Sequence, residues 1–163
     1  MSESSSMPDF KSFARYDQLF LGAGFLTFIF SFIAFAHIHL AGFGGDTISA
    51  WHGIGTLAAL LILAAVIVGF INLTSPSTLS SLPVSGRLLA TGLAALALLF
   101  FIIRWATLPS ASGPGFHIGY SLYWGGYVLL VLNVVTIVEG YLGMRANGES
   151  MPGHPSQPTA PSA

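Results

Sequence analysis

The chain contains no cysteine. That excludes disulfide bonds, thiolate metal sites, a cysteine nucleophile and a lipid anchor attached through cysteine. Charge is nearly as scarce: charged residues make up 7% of the 163 positions, against roughly a quarter in an ordinary soluble domain. A surface so poor in charge cannot be kept in water, so lipid is the solvent expected for most of the chain. With a formal net charge of -1 there is no basic excess to engage a nucleic-acid backbone. The chain also lacks an H-E-x-x-H zinc pattern, a glycine-rich phosphate loop, a nucleophile motif and a pair of acid–base carboxylates. No catalytic residue is assigned, and the chain reads as a non-enzyme.

Hydrophobic residues, at 53%, fill the space that charge leaves. They gather in four stretches: 19–40, 51–73, 88–103 between Arg87 and Arg104, and 120–144 with Glu139 as its one charged interruption. About 20 residues of helix cross a hydrocarbon core of about 30 Å, and a span in lipid must satisfy its own backbone. The expected fold is therefore all-α: a polytopic membrane protein with four transmembrane helices in an up-down-up-down bundle. The alternating pattern that a membrane barrel requires is not read in these stretches. Glycines 42, 44 and 45 mark the first connection. Ser75, Pro76, Ser80 and Pro83 mark the second, and Pro109, Gly113, Pro114 and Gly115 the third. The expected divisions are a cytoplasmic N-terminal segment over 1–17, a transmembrane domain over 18–146 and a disordered proline-rich cytoplasmic tail over 147–163. Ala34-Phe35-Ala36 has the form of a signal-peptide cleavage site. The apolar run continues beyond it to Leu40 and the positive region before it is weak, so an uncleaved first span is expected.

Orientation follows from the basic residues. Lys11, Arg15, Arg87 and Arg145 fall on one side of the expected threading and only Arg104 on the other. This places both termini in the cytoplasm of a bacterial cell, with a multi-pass protein in the plasma membrane. Trp51, Trp105 and Trp124 then mark the outer interface. Small residues four apart, Gly55 with Ala59, Ala65 with Gly69 and Ala90 with Ala94, offer faces for close helix packing. The same faces suit a second copy or another membrane subunit.

Four short pieces, D-Q-L-F-L-G-A-G-F-L at 17–26, S-A-W-H-G-I-G at 49–55, R-L-L-A-T-G-L at 87–93 and Y-W-G-G-Y at 123–127, extend over most of the apolar region. Together they resemble a group of small, uncharacterised four-span membrane proteins of actinobacteria. Such proteins often end the first span with a proline–aromatic pair, where this chain reads Ile33-Ala34-Phe35. The resemblance implies an inner-membrane protein and assigns no catalytic residue.

Three sets of polar residues stand out against this background. His37, His52 and His117, with Asp46, are expected near the outer face, and imidazole with carboxylate suits zinc or copper. Helical periodicity would turn His39 about 200° away from His37 and leave it out of any such site. The bland alternative is interfacial histidines bonded to headgroups, water or turn carbonyls. Haem held between helices is a related alternative that asks for facing histidines. Glu139, an ionisable group within a span, suggests a structural ion pair with Arg87, or else a proton or ion site in a small oligomeric transporter. Arg104 is expected to snorkel outward, to pair with Asp46 or to meet a lipid headgroup. The leading functional expectation is an accessory or interaction subunit of a membrane complex. Its expected partners are the lipid bilayer, other membrane subunits or a second copy of itself, with no cofactor and no nucleic acid.

Overall fold

The computed structural model describes residues 13–40, 44–113 and 116–149. The chain runs α1 (Arg15–Phe30), β1 (Ala34–Leu40), β2 (Gly44–Ser49), α2 (Ile54–Thr74), a 3-10 turn (Pro76–Leu79), α3 (Gly86–Ala106), β3 (Ala111–Gly113), β4 (Phe116–Leu122) and α4 (Trp124–Ala146). Four helices form. Three of them, α2, α3 and α4, are long and apolar enough to cross a membrane. The fourth, α1, has 16 residues, which makes it about 24 Å long. The first 12 residues and the proline-rich stretch from 150 onward, read above as cytoplasmic and disordered, lie outside the described residues.

The all-α expectation is corrected by a four-stranded antiparallel sheet, in the order β2-β1-β4-β3, at one end of the bundle. The stretch 19–40 is not one helix. After Phe30 the chain tightens, with Phe32 N donating to Ile29 O and Ile33 N to Phe30 O, both at 3.1 Å, and then extends into β1. The stretch 120–144 likewise starts as strand and turns helical only from Trp124. The third stretch is longer than expected, because α3 takes in both Arg87 and Arg104. The reason for the strands is periodicity. Residues 36–40 read A-H-I-H-L and residues 116–122 read F-H-I-G-Y-S-L, the two-residue alternation of a half-buried strand.

Register sorts that alternation onto two faces. On β1, Ala36 faces Ile48 and Leu122, while Ile38 faces Asp46 and Tyr120. Between them, His37 faces Thr47 and Ser121, and His39 faces Gly45 and Gly119. Paired residues share a face of the sheet. Ala36 and Leu122 belong to the main core with Ile62, Phe101 and Leu129, so their face seats on the helix ends. His39, Thr47 and Ser121 are exposed on the other face, which His117 joins by parity along β4. A shift of register between Ala34 and Ala36 lets the consecutive Phe35 and Ala36 both be fully buried. The Phe35 ring lies 6.4 Å from Phe101 of α3.

Below the sheet, α1 packs chiefly on α4 and α2 chiefly on α3. α2 buries Gly55, Ala58, Ala59, Ala65 and Gly69, and α3 buries Ala90, Ala94 and Ala97. Large side chains such as Leu60, Ile67, Leu99 and Val131 face outward. Small residues inside and large ones outside is the arrangement expected of helices in lipid, where close backbone approach replaces hydrophobic collapse. The threonines and the asparagine buried between the helices are bonded. Thr27 Oγ1 donates to Ala23 O at 2.8 Å and Thr136 Oγ1 to Leu132 O at 2.9 Å. Asn133, with its amide nitrogen turned to α3, donates to Ala94 O and accepts from Leu98 N, each at 3.2 Å.

Two joints hold the sheet to the helices. Fully buried Ser31 donates to Phe28 O at 2.6 Å and accepts from Trp51 Nε1 at 2.9 Å, and its carbonyl accepts from Ala50 N at 3.1 Å. Tyr123 N donates to Phe35 O at 2.9 Å where β1 passes the start of α4. That second joint needs glycine. A Cβ on Gly125 would lie 2.5 Å from Ala34 O, and one on Gly126 would lie 2.6 Å from Phe35 O, whereas one on Gly92 meets nothing. Gly125→Ala and Gly126→Ala should therefore each lower the thermal midpoint in detergent. Gly92→Ala should hold or raise it, since alanine gains about 0.5–1 kcal/mol over glycine inside a helix. Equal effects at all three positions would remove this account of the joint.

Candidate functional site

The polar chemistry divides between the two ends of the bundle. At the sheet end, the strand conformation of 34–40 changes the geometry expected of the histidines. Residues two apart on a strand share a face, so His37 and His39 stand side by side, with ring centroids 4.5 Å apart. The expectation that His39 turns away from His37 is corrected, because it assumed a helix there. Exposed His39 makes a hydrogen bond between Nε2 and Ser121 Oγ at 2.9 Å, across to β4. Half-buried His37 lies over Gly45, where any Cβ would collide with the ring, and stacks against Tyr123 with centroids 5.7 Å apart. Its Nδ1 is buried without a hydrogen-bond partner among the described residues.

The remaining members of the expected cluster are dispersed. Asp46 pairs in register with Ile38, on the face opposite His37, and its Oδ1 accepts from Thr47 N at 2.7 Å. His52 sits in the turn before α2, with Nδ1 at 3.4 Å from Ser49 O. His117 is paired in register with Ser112, and its Nε2 lies toward Gly119. Among the described residues, no three of His, Asp and Glu converge as metal ligands. The set of His37, His52, His117 and Asp46 is thus not assembled, because strand pairing places Asp46 on the other face and leaves His52 beyond the end of β2. For haem, His37 and His117 lie on strands of one sheet and do not face each other from two helices.

At the opposite end, Arg87 near the start of α3 holds three elements together. Its Nη2 lies 3.0 Å from Asp17 Oδ1 at the start of α1, and its Nε lies 3.8 Å from Glu149 Oε1, just past α4. The guanidinium sits 5.5 Å from the Tyr16 ring centroid, within reach of a cation–π contact. Ser85, which caps α3 by accepting from Leu88 N, donates to Glu149. Gly143 opens the space that the guanidinium occupies, since a Cβ there would lie 2.5 Å from Nη1. The expected pairing of Arg87 with Glu139 is corrected: among the described residues its carboxylate partners are Asp17 and Glu149. Glu139 stands half-buried on α4. Periodicity misses Asp17 as the partner because nothing local links residues 70 positions apart. The available signal is an acid in the first turn of one span and a base in the first turn of another that runs the same way.

Arg104, in the last turn of α3, is at the sheet end. Its stem packs near Gly55 at the start of α2, and its Nε is buried without a hydrogen-bond partner among the described residues. No ion pair links it to Asp46 among the described residues. Its placement agrees with a base near a helix C-terminus, where the macrodipole favours positive charge.

The Arg87–Asp17 pair is nearly buried on both sides, with side-chain exposures of 12% and 13%. Removing either partner strands the other charge, so the two losses should not add. In a double-mutant cycle, Arg87→Gln with Asp17→Asn should give a coupling of about 0.5–3 kcal/mol in detergent unfolding. Arg87→Gln with Glu139→Gln should add to within about 0.5 kcal/mol. The reverse ranking would restore Glu139 as the partner.

The geometry stands without a relative to lean on: comparison of the chain with protein-family models, with curated proteins and with solved structures gives no match.

Proposed function

We propose that this chain is a four-span protein of the bacterial plasma membrane, with both termini cytoplasmic, that serves as a non-enzymatic accessory or interaction subunit of a membrane complex. In this reading the sheet is its recognition surface outside the cell. The observation that carries the reading is the division of labour among polar groups. Inside the bundle, Thr27, Thr136 and Asn133 are bonded to helix backbone, and Arg87 is closed onto Asp17 and Glu149. These are structural uses. They offer no polar route to a transporter built on Glu139. On the sheet, by contrast, His39, Thr47, His117 and Ser121 stand exposed on one face, where another molecule can meet them.

Four spans are supported by the two ends of α1. It begins at the Arg87 level, through Asp17, and finishes at the sheet, where Ser31 meets Trp51 and Phe30 meets Trp124 with centroids 6.1 Å apart. It therefore reaches between the same two levels as the three longer helices, with the turn at 31–33, in which Ser31 is buried, extending it towards the sheet. The orientation is supported by Arg15, Arg87 and Arg145, which lie at the helix ends opposite the sheet.

Threading and role have separate tests. A cysteine at Ser112 should react with an impermeant thiol reagent in intact cells, and one at Ser77, by the 3-10 turn, should react only after the membrane is opened. Reversed labelling would invert the topology. For the role, a photo-crosslinking residue at Thr47 or Ser121 should give one discrete covalent product with another membrane protein in cells, and one at lipid-facing Val131 should not. Products at Val131 alone would move the interaction to the helices, and none at any position would sink the accessory role.

A further inference from the structure

We propose that His37 and His39 form a binding site for a copper ion on the exposed face of the sheet. This goes beyond an interaction role and does not depend on it. The sequence H-I-H lies on a strand, so both imidazoles project to the same side. Ring centroids lie 4.5 Å apart, a spacing compatible with both rings bonding one ion at metal–nitrogen distances of about 2.0–2.1 Å.

The hydrogen bonding around the pair is that of ligands held ready. Ser121 Oγ holds His39 Nε2 at 2.9 Å. With Nε2 donating, the lone pair of His39 resides on Nδ1, and the ring is fixed in orientation, the role that outer-shell partners play for metal-binding histidines. His37 is held from the other side by its stack on Tyr123 and by the space above Gly45. Its Nδ1 is buried and has no hydrogen-bond partner among the described residues. A buried nitrogen without a partner is costly, and coordination of a Lewis acid by its lone pair removes that cost.

The order of affinities points to the metal. Two neutral imidazoles without a carboxylate or thiolate favour the copper end of the first transition row, where affinity for nitrogen ligands peaks. Asp46, the nearest acid in the chain sequence, lies on the opposite face and is bonded to Thr47 N. The positions not filled by His37 and His39 face solvent, so water or a donor from an arriving molecule can complete the coordination.

The test uses the untagged full chain in detergent, carrying His154→Ala to silence the fifth histidine, and titrates it with Cu2+ alone. Binding is read by copper analysis after desalting, by nitrogen hyperfine structure in the electron paramagnetic resonance spectrum, and by quenching of Trp124. The Trp124 ring centroid lies 6.4 Å from that of Tyr123, which stacks on His37. One copper per chain with imidazole nitrogen coupling is expected. Because His39 is exposed, His39→Ala separates binding from folding. It should lose stoichiometric copper while its thermal midpoint without metal stays within a few degrees of the parent, and His37→Ala should lose copper as well. Ser121→Ala should keep the site with affinity lowered about 10–100-fold, and His52→Ala and His117→Ala should bind as the parent does. The proposal is overturned if the parent retains no stoichiometric copper, if His39→Ala retains it, or if His52→Ala or His117→Ala abolishes binding.

Discussion

The pairing of β1 with β4 is the contact on which the rest of the molecule depends. β1 follows α1 and β4 precedes α4, so their ladder joins the first and last helices, which no short connection links. Each half of the chain is a helix, a hairpin and a helix. Without the central ladder each hairpin would stand alone, and an isolated two-stranded hairpin is marginal in water. Joined, the hairpins make one sheet that is amphipathic across its thickness, apolar towards the helix ends and polar away from them. The sheet then fixes the spacing of all four helices at one end, and Arg87 draws three of the elements together at the other.

Between these two clasps the bundle relies on shape. Stripes of glycine and alanine let the helices approach, and the larger apolar residues are left for the solvent that suits them. Asn133 shows how a polar side chain can serve this packing. By bonding both Ala94 O and Leu98 N it inserts between two groups of the α3 ladder and ties α4 to α3 at mid-helix. Interhelical bonds of this kind are worth about 0.6 kcal/mol on average and up to about 2 kcal/mol in membrane helices. That is enough to set the rotation of one helix against another and too little to hold the bundle without the close packing around it.

The same sheet gives the histidines their meaning. On a helix, His37 and His39 would diverge, and each would be an ordinary interfacial side chain. On β1 they converge, and the neighbouring strand supplies Ser121 to orient one of them while Tyr123 covers the other. A pair of imidazole donors on a surface facing away from the helices is a different object from a histidine at a membrane interface, although the residues are the same.

Composition pointed to a membrane protein, because 7% charge cannot cover a water-facing surface, and the lengths of the apolar runs pointed to spanning helices, of which three have the length and apolarity required. The ends of α2, the small-residue stripes and the polar connection after α2 were legible from hydropathy and from glycine and proline, which act locally. The sheet was written in the sequence as the alternation at 36–40 and 116–122, but hydropathy averaged over a span-length window conceals a two-residue period inside an apolar run. The partners of those strands could not be read at all. Whether 36–40 pairs with 118–122 depends on contacts some 80 residues apart, and so does the face on which each histidine falls. Arg87 is the same case, since its choice of Asp17 and Glu149 over Glu139 follows from which helix starts meet at one level. Tertiary structure decided these matters because pairing and register are set by where elements meet in space, and residue type only limits which meetings are possible.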